Sequence, residues 1–425
     1  MKVLLVGGGG REHALAWKIA QSPRLTRLIA APGNPGIARH AQCVAIKDVA
    51  VDEQVALAAH ERVDLVVIGP EMPLALALAD RLQEAGIPVF GPTQAAARIE
   101  SSKAFAKDLM ARYGIPTARF RTFGDGAAAR RFCRELGAPL VVKTDGLAAG
   151  KGAIVCGTLG EADQAVQLCL EDAAFGAAGR TVVIEEFMEG EEASFFALTN
   201  GADALPLETA QDHKTIFDGD RGPNTGGMGA YSPAPVVDPE TSRRVMEEIV
   251  RPTIAAMAKE GAPYAGVLYV GLMIGRTGPR VVEFNCRFGD PECQAILPRL
   301  DEDLLPLLEA VAHGRPLPAS LRWHALASVC VAMASHGYPG ATRTGDEITG
   351  LDATGGLSDG VNVFHAGTAR RDGRLVTSGG RVLGVQASGA DIRAAIARVY
   401  AAVERIHFDG MQFRRDIGRK AVDRA

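Results

Sequence analysis

The sequence predicts a multidomain protein of mixed class, α/β and α+β together, with an open parallel-sheet domain at its N-terminus and a mixed domain at its C-terminus. Three observations predict it. The chain has 425 residues, too many for one ordinary core, so two to four domains are expected. About the first hundred residues alternate short apolar runs with helix-like stretches, the pattern of an open alternating sheet. A fresh apolar segment after Pro316 and Pro318 opens the last domain near residue 325.

Composition narrows the class. At 47% hydrophobic and 23% charged, the chain is globular rather than disordered. A formal net charge of -4 with dispersed basic residues gives broad nucleic-acid attraction no support, so no nucleic-acid partner is expected. Seven cysteines, odd in number and without zinc-like spacing, read as reduced cytoplasmic thiols. The opening apolar run, residues 3–6, is too short for a signal peptide and fits a buried parallel strand. No uninterrupted apolar segment reaches membrane-spanning length, so no membrane partner is expected.

Taken in order, residues 3–6 read as a strand, 7–10 as a glycine turn and 12–20 as a helix, with further strands at 28–30, 44–46, 65–68 and 89–90. Gly7, Gly8, Gly9 and Gly10 could leave backbone N–H groups at a helix start for an anion, with Arg11 adding a fork of donors. The spacing is not a dinucleotide fingerprint, because Glu12 occupies the sixth position; a plain strand-to-helix turn is the equal alternative. Residues 32–36 and 69–74 would reach the same sheet edge, which favours a small-substrate crevice there. Gly91-Pro92-Thr93 ends this domain.

Residues 100–113 read as one helix with Lys103 near its positive end, either meeting phosphate or lying on the surface. A smaller alternating segment follows: a helix at 125–136, a strand ending at Lys143, a turn from Thr144 to Gly152, a strand at 153–156 and a helix at 161–170. Gly150 and Gly152 let backbone amides approach terminal phosphates, while Lys143 and Lys151 supply charge. This is not P-loop spacing, since Gly152 rather than a hydroxyl residue follows Lys151; a flexible hairpin is the structural alternative. The next strand, 181–184, leads to Glu185, Glu186, Phe187 and Met188, whose backbone could bond an adenine beside apolar side chains. Glu192 could bind ribose hydroxyls, although an acidic strand end facing solvent is the plainer reading of this segment alone.

The polar, glycine-rich stretch 211–231 permits close substrate contact, with Asp212 or Asn224 able to orient an amine. His213 has no paired nucleophile and reads as structural or substrate-orienting. After a helix at 242–259 and a strand at 267–273 comes the segment 281–292. There Glu283, Asn285 and Arg287 would share one strand face while Val282 and Phe284 pack the other way. That face offers two oxygen ligands suited to Mg2+ and a cation suited to carboxylate or phosphate. Arg381, a lone arginine in the last domain, reads as a surface residue, with a phosphate contact as the alternative.

Together, residues 9–14, 143–152, 222–233 and 283–292 resemble the phosphoribosylamine-glycine ligase (glycinamide ribonucleotide synthetase) family of ATP-grasp enzymes, over nearly the whole chain. The resemblance implies a substrate-binding domain at 1–102, an ATP-grasp core at 103–122 and 191–324, a lid at 123–190 and a C-terminal domain at 325–425. It gives Lys103 and Lys143 to phosphate, Gly150, Lys151 and Gly152 to the covering loop, Glu185, Glu186, Phe187 and Met188 to adenine, and Glu192 to ribose. Glu283 and Asn285 become metal ligands, with Lys143, Arg287 and Asp290 at the reacting centre. Gly9, Gly10, Arg11, Asp212, Asn224 and Arg287 are assigned to substrate.

The same resemblance implies ATP, glycine and 5-phosphoribosylamine as reactants, Mg2+ with Mn2+ as the alternative ion, and a monomer or weak homodimer. Two positions depart from the pattern. Tyr269 stands where many ATP-grasp enzymes carry a further acid, and Thr144 stands where a small apolar residue is expected. Rival readings are another carboxylate-amine ligase on the same core and a nucleotide-regulated binding module without ligation; an oxidoreductase fails on the glycine spacing.

Overall fold

The computed structural model describes residues 1–147, 152–172, 180–357 and 360–424. Gly150 and Lys151 of the expected covering loop lie outside them. The first strand, Lys2–Gly7, is apolar along its length, and Val3, Leu4, Leu5 and Val6 are fully buried, as a strand covered on both faces requires. It lies mid-sheet in a parallel array ordered Gln42–Cys43, Arg27–Pro32, Lys2–Gly7, Leu65–Ile68, Val89–Phe90. The order reverses beside the first strand, so a crevice opens there at the strands' C-terminal ends. The strand expected at 44–46 does not form. Pairing uses Gln42 and Cys43 instead, and Val44 and Ile46 pack as partly buried side chains against the core.

The expected helix at 100–113 is two helices, Gln94–Ser101 and Lys103–Tyr113. Ser102 is extended between them and its hydroxyl accepts the Phe105 N–H at 3.1 Å, a cap that propensity alone does not reveal. The break places Lys103 in a first helical turn.

Phe120–Phe123, Val182–Glu186, Leu140–Thr144 and Ala153–Cys156 form an antiparallel sheet. Helices Gly126–Leu136 and Leu159–Val166 pack on it through Phe132, Cys133, Ala162 and Val166. A second antiparallel sheet pairs Glu191–Asn200 with Ala265–Gly275 and that strand with Gly278–Asn285. Its register sets Tyr269 opposite Asn285 and Gly271 opposite Glu283, and then slips: Leu272 faces Val281. Val282 is the extra residue of this bulge. Val281 and Phe284 join the core, but Val282 and Phe284 both also line the central cavity, contrary to the simple alternation expected of them.

The C-terminal sheet is ordered Gln211–Asp212, Gly229–Ser232, Ala327–Ala334, Arg381–Gly389, Val361–His365. Its first two strands come from the range that the sequence reading gives to the ATP-grasp core; hydrogen bonding across a hundred residues carries them into the last domain's sheet. Helix Ile392–Val403 covers this sheet. Among the described residues no helix is long and apolar enough to cross a membrane, and all seven cysteines are free thiols.

Two buried histidines join the first helix to the C-terminal sheet. His13 Nδ1 accepts the backbone N–H of His365 at 2.7 Å, so His13 must be neutral there. The His365 ring contacts Gly355 O at 2.7 Å and Thr368 Oγ1 at 3.0 Å. Burial holds His13 well below the ordinary imidazole range, and burial also pushes His365 down to about 4. Between about pH 6.5 and 4 the unfolded chain therefore binds protons that the folded pair refuses, and stability falls as pH is lowered through that window. His365 alone is expected to contribute up to about 3 kcal/mol. Urea midpoints measured at pH 7 and pH 4.5 should differ accordingly, and His365→Gln should flatten the difference. Equal midpoints for the unmodified chain would contradict this assignment.

Candidate active site

A cavity of about 590 Å³ opens where the parallel sheet's edge meets the two antiparallel sheets and the C-terminal sheet. Its size suits a small-molecule site. At one end Val182–Glu186 runs out into Phe187 and Met188, both of which line the wall. Glu186 also lines the cavity, its carboxylate pairing with Arg280 and accepting the Arg119 N–H at 3.0 Å. Glu192 lies further along, 4.0 Å from Lys214.

Lysines crowd the middle of the cleft. Lys143 Nζ lies 3.0 Å from Glu185 Oε2 and 2.9 Å from Val282 O, which leaves one of its three donor directions for a ligand. Lys103 Nζ, in the first turn of its helix, donates to Gly146 O at 2.9 Å. Gly152 also lines the cavity, and its carbonyl accepts the Thr144 N–H at 2.8 Å. Among the described residues the Thr144 hydroxyl reaches that same carbonyl, at 3.5 Å.

Glu283, Asn285 and Arg287 all line the cavity, as their alternation predicts. Burial would raise the Glu283 pKa, but Lys214, Lys143, Lys103 and Arg287 outweigh it and hold the carboxyl below its usual range. Asn285 Oδ1 accepts from Arg287 Nη2 at 3.1 Å. One ionised carboxylate and one amide oxygen are hard ligands suited to Mg2+. Among the described residues no group of three or more His, Cys, Asp or Glu could hold a metal ion. The donor set therefore fits an ion that takes its remaining oxygens from water and phosphate rather than from a protein cage.

Arg287 is braced from the N-terminal side. Its Nε lies 3.3 Å from Glu71 Oε2 and its Nη2 lies 3.2 Å from Glu100 Oε1. Burial alone would lower the guanidinium pKa; Glu100 and Glu71 reverse this and hold it above the ordinary value. Glu100 also accepts the Cys286 N–H at 2.7 Å. Arg11 extends the network, with Nε 2.6 Å from Glu12, Nη1 3.1 Å from Phe288 O and Nη2 3.9 Å from Glu71.

Gly9 and Gly10 sit behind this network rather than in the cavity wall. The Gly9 N–H donates to Glu12 Oε2 at 2.7 Å, so it is not left open for an anion as the glycine run suggests. A Cβ on Gly10 would meet Gln294 Nε2 at 2.7 Å, so this glycine serves close packing against the segment after Asp290.

Asp290 is gripped by Gln294 Nε2 at 2.8 Å and Arg381 Nη2 at 3.4 Å. Arg381 also donates to Gly226 O, to Gly227 O at 3.2 Å and to Asp290 O at 2.7 Å. This overturns its reading as a surface residue: strand Arg381–Gly389 delivers it to the cavity. Asp212 lines the same corner with Asn224. Burial first, then the charge of Glu292, pushes its carboxyl up to about 8. Gly227 has φ +111°, and a Cβ there would lie 2.8 Å from Asp212 Oδ1; no side chain fits. His213 stays structural, with its backbone N–H on Asp212 Oδ1 at 2.6 Å and its ring against Gly229 O at 3.3 Å.

Models of the phosphoribosylglycinamide synthetase N domain, ATP-grasp (A) domain and C domain match residues 1–100, 101–293 and 328–420 in turn. The chain belongs to the phosphoribosylglycinamide synthetase family. Phosphoribosylamine-glycine ligase of Mesorhizobium japonicum is 54% identical over 424 residues, covering 100% of this chain and 99% of the relative. The crystal structure of the ligase of that name from Thermotoga maritima superposes with TM-score 0.86 at 35% identity, covering 98% of this chain and 100% of its own. The biotin carboxylase domain of Hydrogenobacter thermophilus 2-oxoglutarate carboxylase, in complex with MgADP, ADP and bicarbonate, gives TM-score 0.75 over 97% of this chain and 91% of its own. At 18% identity it shows a shared fold alone.

In this synthetase-family chain several cavity residues escaped the sequence reading: Glu71, Glu100, Lys107, Lys214 and Glu292. Two of them carried a usable signal. Glu71 stands in the strand-end segment 69–74 already placed at the crevice, and Lys107 stands four residues after Lys103, on the same helix face.

Proposed function

We propose that this chain joins glycine to 5-phosphoribosylamine with ATP, through glycyl phosphate, giving glycinamide ribonucleotide, ADP and phosphate in de novo purine biosynthesis. The observation that carries the reading is the meeting of Glu283 and Asn285 with Lys103 and Lys143 in one cleft, in a chain whose full length matches ligases of that activity.

In this scheme the adenine lies between Val141, Phe187 and Met188, with Glu192 at the ribose, and the phosphates run past Lys143 and Lys103. Glu283 and Asn285 hold the divalent ion, Mg2+ or in its place Mn2+, which supplies charge neutralisation at the phosphate oxygens when bound. An oxygen of glycine's carboxylate attacks the γ-phosphorus and ADP departs. The amine of phosphoribosylamine then attacks the glycyl carbonyl, the C–O bond to phosphate breaks, and the amine's proton is released. Lys143 and Arg287 stabilise the negative charge that develops. Asp212 and Asn224 orient an amine, and Asp290, clamped by Arg381 and Gln294, fixes the corner where the two substrates meet. Gly152, on the cavity wall, stands at the phosphate end of the cleft.

The protein acts as a monomer or weak homodimer in this reading, and its free thiols suit the cytoplasm. Mixing ATP, Mg2+, glycine and freshly generated phosphoribosylamine should yield glycinamide ribonucleotide and ADP, and omission of any one should stop product formation and sustained turnover. ADP formation that needs some other acid would favour a different carboxylate-amine ligase. ATP binding with no substrate-dependent ADP would favour a binding module.

A further inference from the structure

The arm that carries Lys214 and Asn224 to the cleft is a short hairpin, Thr215–Phe217 with Arg221–Asn224, a two-stranded sheet of its own. Lys214, Asn224, Thr225 and Gly226 line the cavity at its base. There Thr215 pairs with Asn224, and the Thr225 hydroxyl donates to Lys214 O at 2.8 Å. Of residues 215–224 Ile216 alone is buried, and Phe217 is 54% exposed. A lone two-stranded hairpin is marginally stable in water, so a single apolar anchor leaves this one poorly fixed.

The rest of its support comes from two hundred residues further along the chain. Arg414 is 1% exposed, and its Nη1 donates to Thr215 Oγ1 at 2.9 Å, to Thr215 O at 3.3 Å and to Asp220 Oδ1 at 3.0 Å. Its Nε and Nη2 each donate to Asp416 at 2.7 Å, and Asp416 Oδ2 also accepts the Gly219 N–H at 2.9 Å. Burial would raise the Asp416 pKa, but Arg414 and the Gly219 N–H outweigh it and hold the carboxyl below its ordinary range. Lys420 meets Asp220 Oδ2 at 2.7 Å, and the Arg415 N–H donates to Asp218 Oδ1 at 2.8 Å. Both of these hold the exposed tip, whereas Arg414 reaches the base at Thr215, directly across from Asn224.

We propose that Arg414 is a positioning residue for the amine-side half of the site: by tying Thr215 to Asp416 it sets the hairpin's base and, through it, Asn224 and Lys214. The proposal rests on the ligation reading, with phosphoribosylamine as the amine that Asn224 orients. The nucleotide end of the cleft is built on strands Leu140–Thr144 and Val182–Glu186, apart from the hairpin.

Steady-state kinetics and calorimetry on the full chain test it together. Arg414→Met should lower kcat/KM for phosphoribosylamine about ten- to a hundredfold, the cost of a displaced orienting group. The Kd for ADP with Mg2+ should stay within about twofold, as for an independent site. Arg414→Lys, which keeps the charge, should recover part of the loss, and Lys420→Met, which frees only the tip, should lie near the unmodified chain. Thr215→Val should cost about threefold, the worth of one hydrogen bond, and should add nothing in the Arg414→Met background. This variant keeps the test sharp if Arg414→Met does not fold. Normal kcat/KM in Arg414→Met, ADP binding weakened as much as turnover, or an equal loss in Lys420→Met would each overturn the proposal. If the unmodified chain forms no glycinamide ribonucleotide, the ligation reading fails by itself. Amide deuterium exchange without substrates then still reads the hold: faster exchange over residues 213–228 in Arg414→Met supports it, and unchanged exchange overturns it.

Discussion

Lys143→Ala is expected to lower kcat/KM by about two to three orders of magnitude, the cost of about 2.7–4 kcal/mol typical of one strong transition-state donor. The side chain reaches the cleft from the end of strand Leu140–Thr144, with Glu185 Oε2 and Val282 O fixing two of its donor directions. The third is left for a ligand in the cavity that Lys143 lines, so in the proposed reaction little reorganisation is needed when charge develops on a phosphate. Removing the ammonium also leaves Glu185 with Lys107 as its remaining cation, a pair that still compensates the buried carboxylate. The fold should therefore survive while turnover collapses. Steady-state kinetics at saturating ATP, glycine and phosphoribosylamine check this, and near-normal kcat would remove Lys143 from the mechanism.

Arg287→Met is expected to damage both stability and activity, and the two losses can be separated. The guanidinium compensates Glu100, whose side chain is 7% exposed, and Glu71, and it holds Asn285 Oδ1 in place. Burial already raises the Glu100 pKa even with Arg287 present. Stranding that carboxylate should cost about 3–5 kcal/mol, as breaking a buried ion pair does. The double variant Arg287→Met with Glu100→Gln removes the uncompensated charge and should recover a large part of the denaturant midpoint. Activity should not return, because the cation facing the reacting carboxylate is still missing. Joint recovery of stability and activity would make Arg287 a structural residue.

Much of this site is legible in the sequence because its parts are local. Alternation along one strand brings Glu283 and Asn285 to a common face, and the run 185–188 ends a strand where a base can dock. The missed features arise where distant segments meet. Lys107, Thr117, Glu185 and Val281 form one chain of contacts across four separate stretches, and beyond the spacing of Lys107 from Lys103 no local signal announces it. Arg381 reads as solvent-facing until its strand pairs with Ala327–Ala334 and carries it to Asp290. Val282 reaches the cavity wall where the register slips opposite Gly271 and Leu272, a bulge that no spacing rule anticipates. The strands at Gln211–Asp212 and Gly229–Ser232 join the C-terminal sheet for the same reason: their partners are chosen by tertiary pairing, and their own two to four residues carry no record of it.

Isotope transfer from glycine addresses the central chemistry most directly. With glycine labelled by oxygen-18 in both carboxylate oxygens, activation by ATP followed by amine attack should place one labelled oxygen in each phosphate released, seen as an isotope shift in the phosphorus NMR signal, and leave the other in the amide product. Unlabelled phosphate accompanying normal formation of glycinamide ribonucleotide would contradict the account.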